Sequence, residues 1–81
     1  MKGARKDNPV GFLPSPGDYG LDPRGDWYGM TPNCHLANLS AHDVREHADG
    51  TICVHPSILV TMNGVEMWHG YLLHGVWQSC G

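Results

Sequence analysis

The clearest alternation of apolar and polar side chains lies in the second half of the chain. In an extended segment successive side chains point to opposite faces, so Ile52 and Val54 share one face and Cys53 and His55 share the other. Pro56 follows and removes a backbone hydrogen-bond donor, which places this strand at a sheet edge or bends it there. The pattern predicts a short strand that buries its aliphatic face.

Turn signals divide the remainder of this half into further strands. Residues 57–62 are apolar and rich in β-branched side chains, and they are followed by Asn63-Gly64, a pair typical of a type I′ hairpin turn. Residues 65–73 are then the returning strand, His74-Gly75 is a second turn, and residues 76–79 are a last strand. The pattern predicts an antiparallel β-meander of three or more strands.

One segment has the features of a short helix. Ser40 is a suitable N-cap, and Asp43 follows it at the capping-box spacing. Residues 41–48 would form about two turns, which Gly50 would end in a left-handed conformation. A helix this short is stable only when it packs on other structure. The predicted fold class is therefore α+β and β-dominated: a small antiparallel meander with one short helix and an extended N-terminal arm.

Residues 1–33 differ from the remainder in composition. They hold five of the six prolines and six of the eleven glycines, and no apolar period persists. They also carry more large apolar side chains than a solvated linker would. We therefore expect an extended arm, residues 1–33, joined to a small body, residues 34–81. The arm would lie on its own body or on a neighbouring subunit. The predicted partner-binding residues are Phe12, Leu13, Tyr19, Trp27 and Tyr28.

Charge and composition exclude several classes of protein. The net charge is −3, and only two basic residues follow Lys6, against all eight acidic ones. Without a basic stripe the body does not have the composition of a nucleic-acid-binding protein. No apolar run approaches the ~20 residues of a membrane span. Three cysteines do not make a secreted disulfide framework, and no signal peptide is recognised, which suggests a reduced, cytoplasmic site of synthesis.

Three short motifs carry a resemblance to a known group of proteins. They are PSILV at residues 56–60, WHGYL at 68–72 and GVW at 75–77. Together they resemble the C-terminal signature of small proteins encoded in bacteriophage genomes, in which a PSI strand precedes a WHG strand pair. The resemblance covers about residues 50–80, leaves the arm outside, and brings no metal or catalytic motif with it. It implies a phage origin and does not imply a reaction.

Cysteine and histidine side chains provide a candidate metal site. Zinc takes four Cys or His ligands in a tetrahedron, and the predicted set is Cys34, Cys53, His69 and Cys80. The chain has no C-x-x-C or H-x-x-x-H pair, so the spacing signal for such a site is weak. Buried thiols that only pack are the alternative, because free cysteine behaves as a small hydrophobe. No other cofactor is expected.

Catalytic residues are not predicted. Ser57 follows a proline in a strand and has no G-x-S-x-G elbow around it. Cys34 lies beside His35 near the predicted helix start and is the best nucleophile candidate. A chain of this size nevertheless has little room for a substrate cleft. His69 is interpreted either as a ligand or as a hydrogen-bonded structural histidine.

These features together predict a phage structural or interaction protein that is not an enzyme. We expect a virion component, such as a head decoration, cement or minor tail protein, made in the host cytoplasm and held to neighbours by its arm. Its partners would be other viral structural proteins, copies of itself, or both, with no membrane and no nucleic acid. The alternative is a small accessory protein that binds and inhibits a host factor, with a structural zinc ion as a candidate cofactor.

Overall fold

The fold consists of two four-stranded β-sheets that share one core. A computed structural model describes residues 1–7 and 13–80. No helix is present in those two ranges, so the predicted α+β class with a short helix is wrong and the described chain is all-β. The strands are β1 (Ala4–Arg5), β2 (Asp18–Leu21), β3 (Trp27–Met30), β4 (Leu36–Asn38), β5 (Asp43–Glu46), β6 (Ile52–Met62), β7 (Val65–Leu73) and β8 (Val76–Ser79).

The first sheet has the order β1-β2-β3-β4. β1 runs parallel to β2, and the other neighbours are antiparallel. The turn between β2 and β3 is closed by the Asp22 carboxylate, which accepts hydrogen bonds from the backbone N–H groups of Arg24 and Asp26. Gly25 in this turn has a positive φ of 87°, a conformation that glycine adopts without steric cost. Local turn chemistry therefore makes a hairpin within a segment rich in proline and glycine.

The second sheet is an antiparallel meander in the order β5-β6-β7-β8. The predicted turn at Asn63-Gly64 is confirmed: both residues have positive φ, and Met62 pairs with Val65 across it. β6 continues through Pro56, but its pairing with β7 is irregular between Val54 and Ile58. This irregularity accommodates the proline, which has no N–H to donate to the ladder.

The segment predicted to be a helix, residues 41–48, contains β5 instead. Val44 pairs with Val54, and Arg45 pairs with Cys53. Residues 47–50 form the hairpin turn, with Gly50 at a φ of 86°. Val44 packs against the core while its neighbours are exposed, an alternation that suits a strand. Pairing with the long β6 satisfies the backbone of this segment, whereas an isolated two-turn helix is marginal in water.

The first residues of the chain connect the two sheets. The Met1 carbonyl oxygen accepts a hydrogen bond from the backbone N–H of Trp77 at 2.7 Å. The backbone N–H of Gly3 donates to the Gly75 carbonyl oxygen at 2.7 Å. Ala4 and Arg5 then pair with β2 in the other sheet. The part of the predicted arm that the structure describes therefore forms β1, β2 and β3 of the same body as the later residues.

Side chains from both sheets fill the core. Trp77 of β8 is 2% exposed, and it meets Trp68 edge to face with 5.5 Å between ring centroids. Its indole N–H donates to the Gly17 carbonyl oxygen at 2.9 Å, which satisfies a polar group that would be costly to bury alone. The other buried members of this cluster are Tyr19, Ala37, Leu39, Ile52, Val54, Ile58 and Leu72.

Candidate metal centre

Two turns and one strand of the second sheet bring three ligand side chains together. Cys53 lies near the start of β6 and is buried. His47 begins the turn that joins β5 to β6, and its backbone N–H donates to the Thr51 carbonyl oxygen. His74 occupies the turn between β7 and β8 with a positive φ of 47°. We refer to His47, Cys53 and His74 as the His-Cys-His group.

The side chains of the His-Cys-His group are close to one another. The Nε2 atom of His47 lies 3.1 Å from the Cys53 Sγ atom. The backbone N–H of His74 donates to the same Sγ atom at 3.2 Å. The two imidazole rings stack, with centroids 4.1 Å apart and planes inclined by 15°. One ligand atom from each residue lies within 4.8 Å of the other two.

The chemistry of these donors suits a metal ion. One cysteine sulfur and two imidazole nitrogens are ligands that zinc takes in proteins. Cys53 is buried, His47 is half-buried and His74 is exposed, so the group opens to the surface on the His74 side. The structure thus contains a possible metal-binding group, in agreement with zinc as a candidate cofactor.

The metal ligands predicted from the sequence are mostly located elsewhere. Among the four, only Cys53 belongs to the His-Cys-His group. Cys34 is exposed in the turn between β3 and β4, where its φ is 68°. Cys80 is also exposed, and its N–H donates to the carbonyl oxygen of His69. The His69 ring instead lies 3.0 Å from the Ser57 hydroxyl oxygen.

Sequence reasoning missed two members of the group for identifiable reasons. The sequence predicts a helix around His47 and a turn at His74, and the predicted four-ligand set includes neither histidine. The two histidines lie in the two hairpin turns nearest the start of β6, as the pairing of β6 with β5 and with β7 shows. The usable signal was therefore a histidine in each of two glycine turns, combined with a cysteine on the strand between them.

A second polar cluster surrounds Ser57. His69 Nε2 lies 3.0 Å from Ser57 Oγ, and His42 Nε2 lies 3.3 Å from the Ser57 carbonyl oxygen. The His42 Nδ1 atom is buried and has no hydrogen-bond partner within the described residues. The contacts join β7 and the residue before β5 to β6 at the irregular stretch around Pro56.

The predicted partner-binding residues fall into three environments. Phe12 lies outside the described residues, and Leu13 is 86% exposed. Tyr19 and Tyr28 are buried in the chain's own structure, and the Tyr28 hydroxyl donates to the Lys6 carbonyl oxygen. Trp27 is half-buried, with the Arg5 guanidinium 4.8 Å from its ring centroid.

An open groove borders the first sheet. Its volume is about 360 Å³, which places it near the lower limit for small-ligand sites. Its lining mixes aromatic, aliphatic and charged side chains, among them Leu36, which is 62% exposed. The lining residues are Asp22, Pro23, Arg24, Trp27, Tyr28, Leu36, Ala37 and Asn38.

Comparisons with known proteins give no assignment. No protein-family model, no curated protein and no solved structure matches this chain. Within the described residues, no helix has the length and apolar character needed to cross a membrane.

Proposed function

We propose that the chain is a non-enzymatic structural protein of a bacteriophage that docks on other virion proteins or on a copy of itself. The resemblance of about residues 50–80 to small phage-encoded proteins suggests the origin. The groove beside Trp27 and Leu36 is the observation that carries the docking role. Two of the residues expected to bind a partner, Trp27 and Tyr28, line this groove.

The composition of the groove suits a protein partner. Aromatic residues in pockets are frequent anchors of protein interfaces, and Leu36, which lines the groove together with Trp27, leaves an apolar side chain accessible. Asp22 and Arg24 add charges of both signs to the lining, and Arg24 itself is exposed. An apolar side chain of a neighbouring subunit would fill the groove while its polar flanks meet these charges.

Mass spectrometry of purified phage particles tests the proposed role. We expect the protein in washed particles at a constant ratio to the main head or tail protein. Its absence from particles, when it is present in infected cells, would refute the virion role.

A charge placed in the groove tests the docking surface. Leu36→Glu should prevent incorporation into particles, since a carboxylate would have to be buried at the interface. Leu59→Glu is the matched control, because Leu59 is 54% exposed and lies on β6 in the other sheet. Equal incorporation of both variants would show that the groove is not the docking surface.

A second candidate function is a phage accessory protein that binds and inhibits a host factor. The His-Cys-His group favours it, because a zinc ion is a common means of stabilising a domain of this size. Tagged protein recovered from infected cells would then bring a host protein with it, whereas purified particles would lack the chain. Recovery of virion proteins alone would exclude this candidate.

A further inference from the structure

We propose that His47, Cys53 and His74 bind one Zn²⁺ ion and leave its fourth coordination position open. This goes beyond the docking role, since metal binding is a property of the isolated chain. The proposal also replaces the ligand set expected from the sequence, of which it keeps only Cys53.

The distances between the ligand atoms are close to those of a tetrahedral site. With Zn–N near 2.0 Å and Zn–S near 2.3 Å, ligand atoms lie roughly 3.3–3.6 Å apart. His47 Nε2 and Cys53 Sγ are 3.1 Å apart, and no pair in the group exceeds 4.8 Å. An ion can therefore enter after displacements of roughly 1 Å.

Cys53 and His74 differ in how firmly the fold holds them. Cys53 is held between Ile52 and Val54, both of which are fully buried, so its sulfur provides a fixed point. His74 is exposed and lies in a turn. The imidazole planes are nearly parallel, and zinc binding requires the His74 ring to rotate until its nitrogen points at the same centre as that of His47.

A backbone contact already supports the sulfur as a ligand. The His74 N–H donates to Cys53 Sγ at 3.2 Å, and a metal-bound thiolate accepts such a bond well. Hydrogen bonds of this kind orient ligands and tune their affinity in metal sites. The same contact holds the turn that carries His74 against the sulfur.

The donor set favours a transition metal over the hard cations. Thiolate and imidazole ligands suit zinc, whereas Ca²⁺ and Mg²⁺ require oxygen ligands. The open position faces the surface on the His74 side, so water or a side chain of a bound partner completes the tetrahedron. The ion would join the β5–β6 turn, the start of β6 and the β7–β8 turn, and so connect all four strands of the second sheet.

Zinc and cobalt titration of the purified full-length chain, first freed of metal with a chelator, tests the site. Elemental analysis after zinc addition and desalting should give one ion per chain. Co²⁺ should give a thiolate-to-metal charge-transfer absorption and the strong visible bands of tetrahedral coordination. Zinc at about 100 times its dissociation constant should raise the melting temperature by about 10 °C or more.

Two variants assign the ion to these residues. His74→Asn keeps a residue type that tolerates positive φ, so the metal-free fold should persist while zinc affinity falls at least about ten-fold. His55→Asn is the matched control, because His55 is exposed on β6 outside the group, and it should bind zinc as the parent does. Circular dichroism of the metal-free variants checks that both are folded.

Three outcomes would overturn the proposal. The first is less than one ion per chain at zinc saturation. The second is unchanged affinity in His74→Asn. The third is loss of the cobalt–thiolate absorption on combining Cys34→Ser with Cys80→Ser, which would place the ion at the exposed thiols instead. Persistence of the absorption in that double variant supports the assignment to Cys53.

Discussion

Gly29 and Trp77 form a contact that joins the two sheets and can be tested quantitatively. Gly29 is buried in β3, and its backbone conformation does not require glycine, since its φ is not positive. A Cβ atom added there would lie 2.6 Å from Cη2 and 3.0 Å from Cζ2 of Trp77. Carbon atoms pack best at about 3.5–4.0 Å. Alanine at this position therefore overlaps the indole ring by about 1 Å.

The expected free-energy changes follow from this overlap. Gly29→Ala should lower the free energy of unfolding by about 2 kcal/mol, since overpacking a core costs about 1–3 kcal/mol. Trp77→Phe should cost about 3 kcal/mol, because it leaves the Gly17 carbonyl oxygen without its indole donor and creates a cavity. Phenylalanine lacks the benzo ring that clashes. The double variant should therefore be more stable than the sum of the two costs predicts, by about 1.5 kcal/mol.

Urea denaturation followed by far-ultraviolet circular dichroism measures these energies without using tryptophan fluorescence, which the substitution itself alters. A chain of 81 residues has a stability of roughly 4–12 kcal/mol, so each single variant should retain a folded population. The control cycle combines Gly29→Ala with Ile58→Val, a core truncation on β6 that removes no atom from the contact. That cycle should be additive within about 0.5 kcal/mol.

Additive energies for Gly29→Ala and Trp77→Phe would refute the reasoning. Additivity would mean that the indole ring does not occupy the space next to Gly29. The packing of β3 against β8 would then differ from the one described. A coupling of opposite sign would lead to the same conclusion.

Three further predictions concern charged and phenolic groups. Arg5 pairs with Glu46 at 3.0 Å, and Arg5→Lys should lower the free energy of unfolding by about 1 kcal/mol. The difference between the variant and the parent in urea denaturation should be smaller at high salt. A loss of stability that does not depend on salt would contradict an ionic role. The hydrogen bond from the Asp26 backbone N–H lowers the pKa of Asp22 more than any of its other contacts does. The stability that this provides is present above the unfolded pKa of about 3.9 and is lost as the pH falls through the folded value. Asp22→Asn should therefore flatten the acid limb of a stability–pH curve, and an unchanged limb would contradict this. Burial raises the pKa of Tyr28. The contribution of Tyr28 to stability is complete below pH about 10 and is lost as the pH rises towards the folded value. Tyr28→Phe should therefore reduce the loss of stability at alkaline pH, which denaturation at stepped pH measures, and an equal loss in both proteins would count against this.

Part of the candidate site could be identified from the sequence. The period of two in residues 51–55 predicts a strand with Cys53 on the face opposite Ile52 and Val54, and the strand is confirmed. His47 and His74 could not be identified as its neighbours. They are separated by 26 intervening residues along the chain, and it is the pairing of β6 with both β5 and β7 that brings their turns to the sulfur.

The sequence by itself determined the features that depend on neighbouring residues. The hairpin at Asn63-Gly64 is specified by two residues that accept positive φ, and the turn at His74-Gly75 is specified in the same way. The conformation of a turn depends mainly on the residue types at about four consecutive positions. For this reason the boundaries of β7 and β8 were predicted from the sequence.

The tertiary structure decided the features that depend on distant partners. The segment around Val44 has local helix signals, yet pairing with β6 makes it a strand, because a long neighbour satisfies its backbone and covers its apolar side. Residues 1–33 show no apolar period, yet hydrogen bonds to Gly75 and Trp77 hold the first residues of the chain on the second sheet. Local propensity is worth only tenths of a kcal/mol per residue. Strand pairing and core burial outweigh it, and both depend on where the remainder of the chain lies.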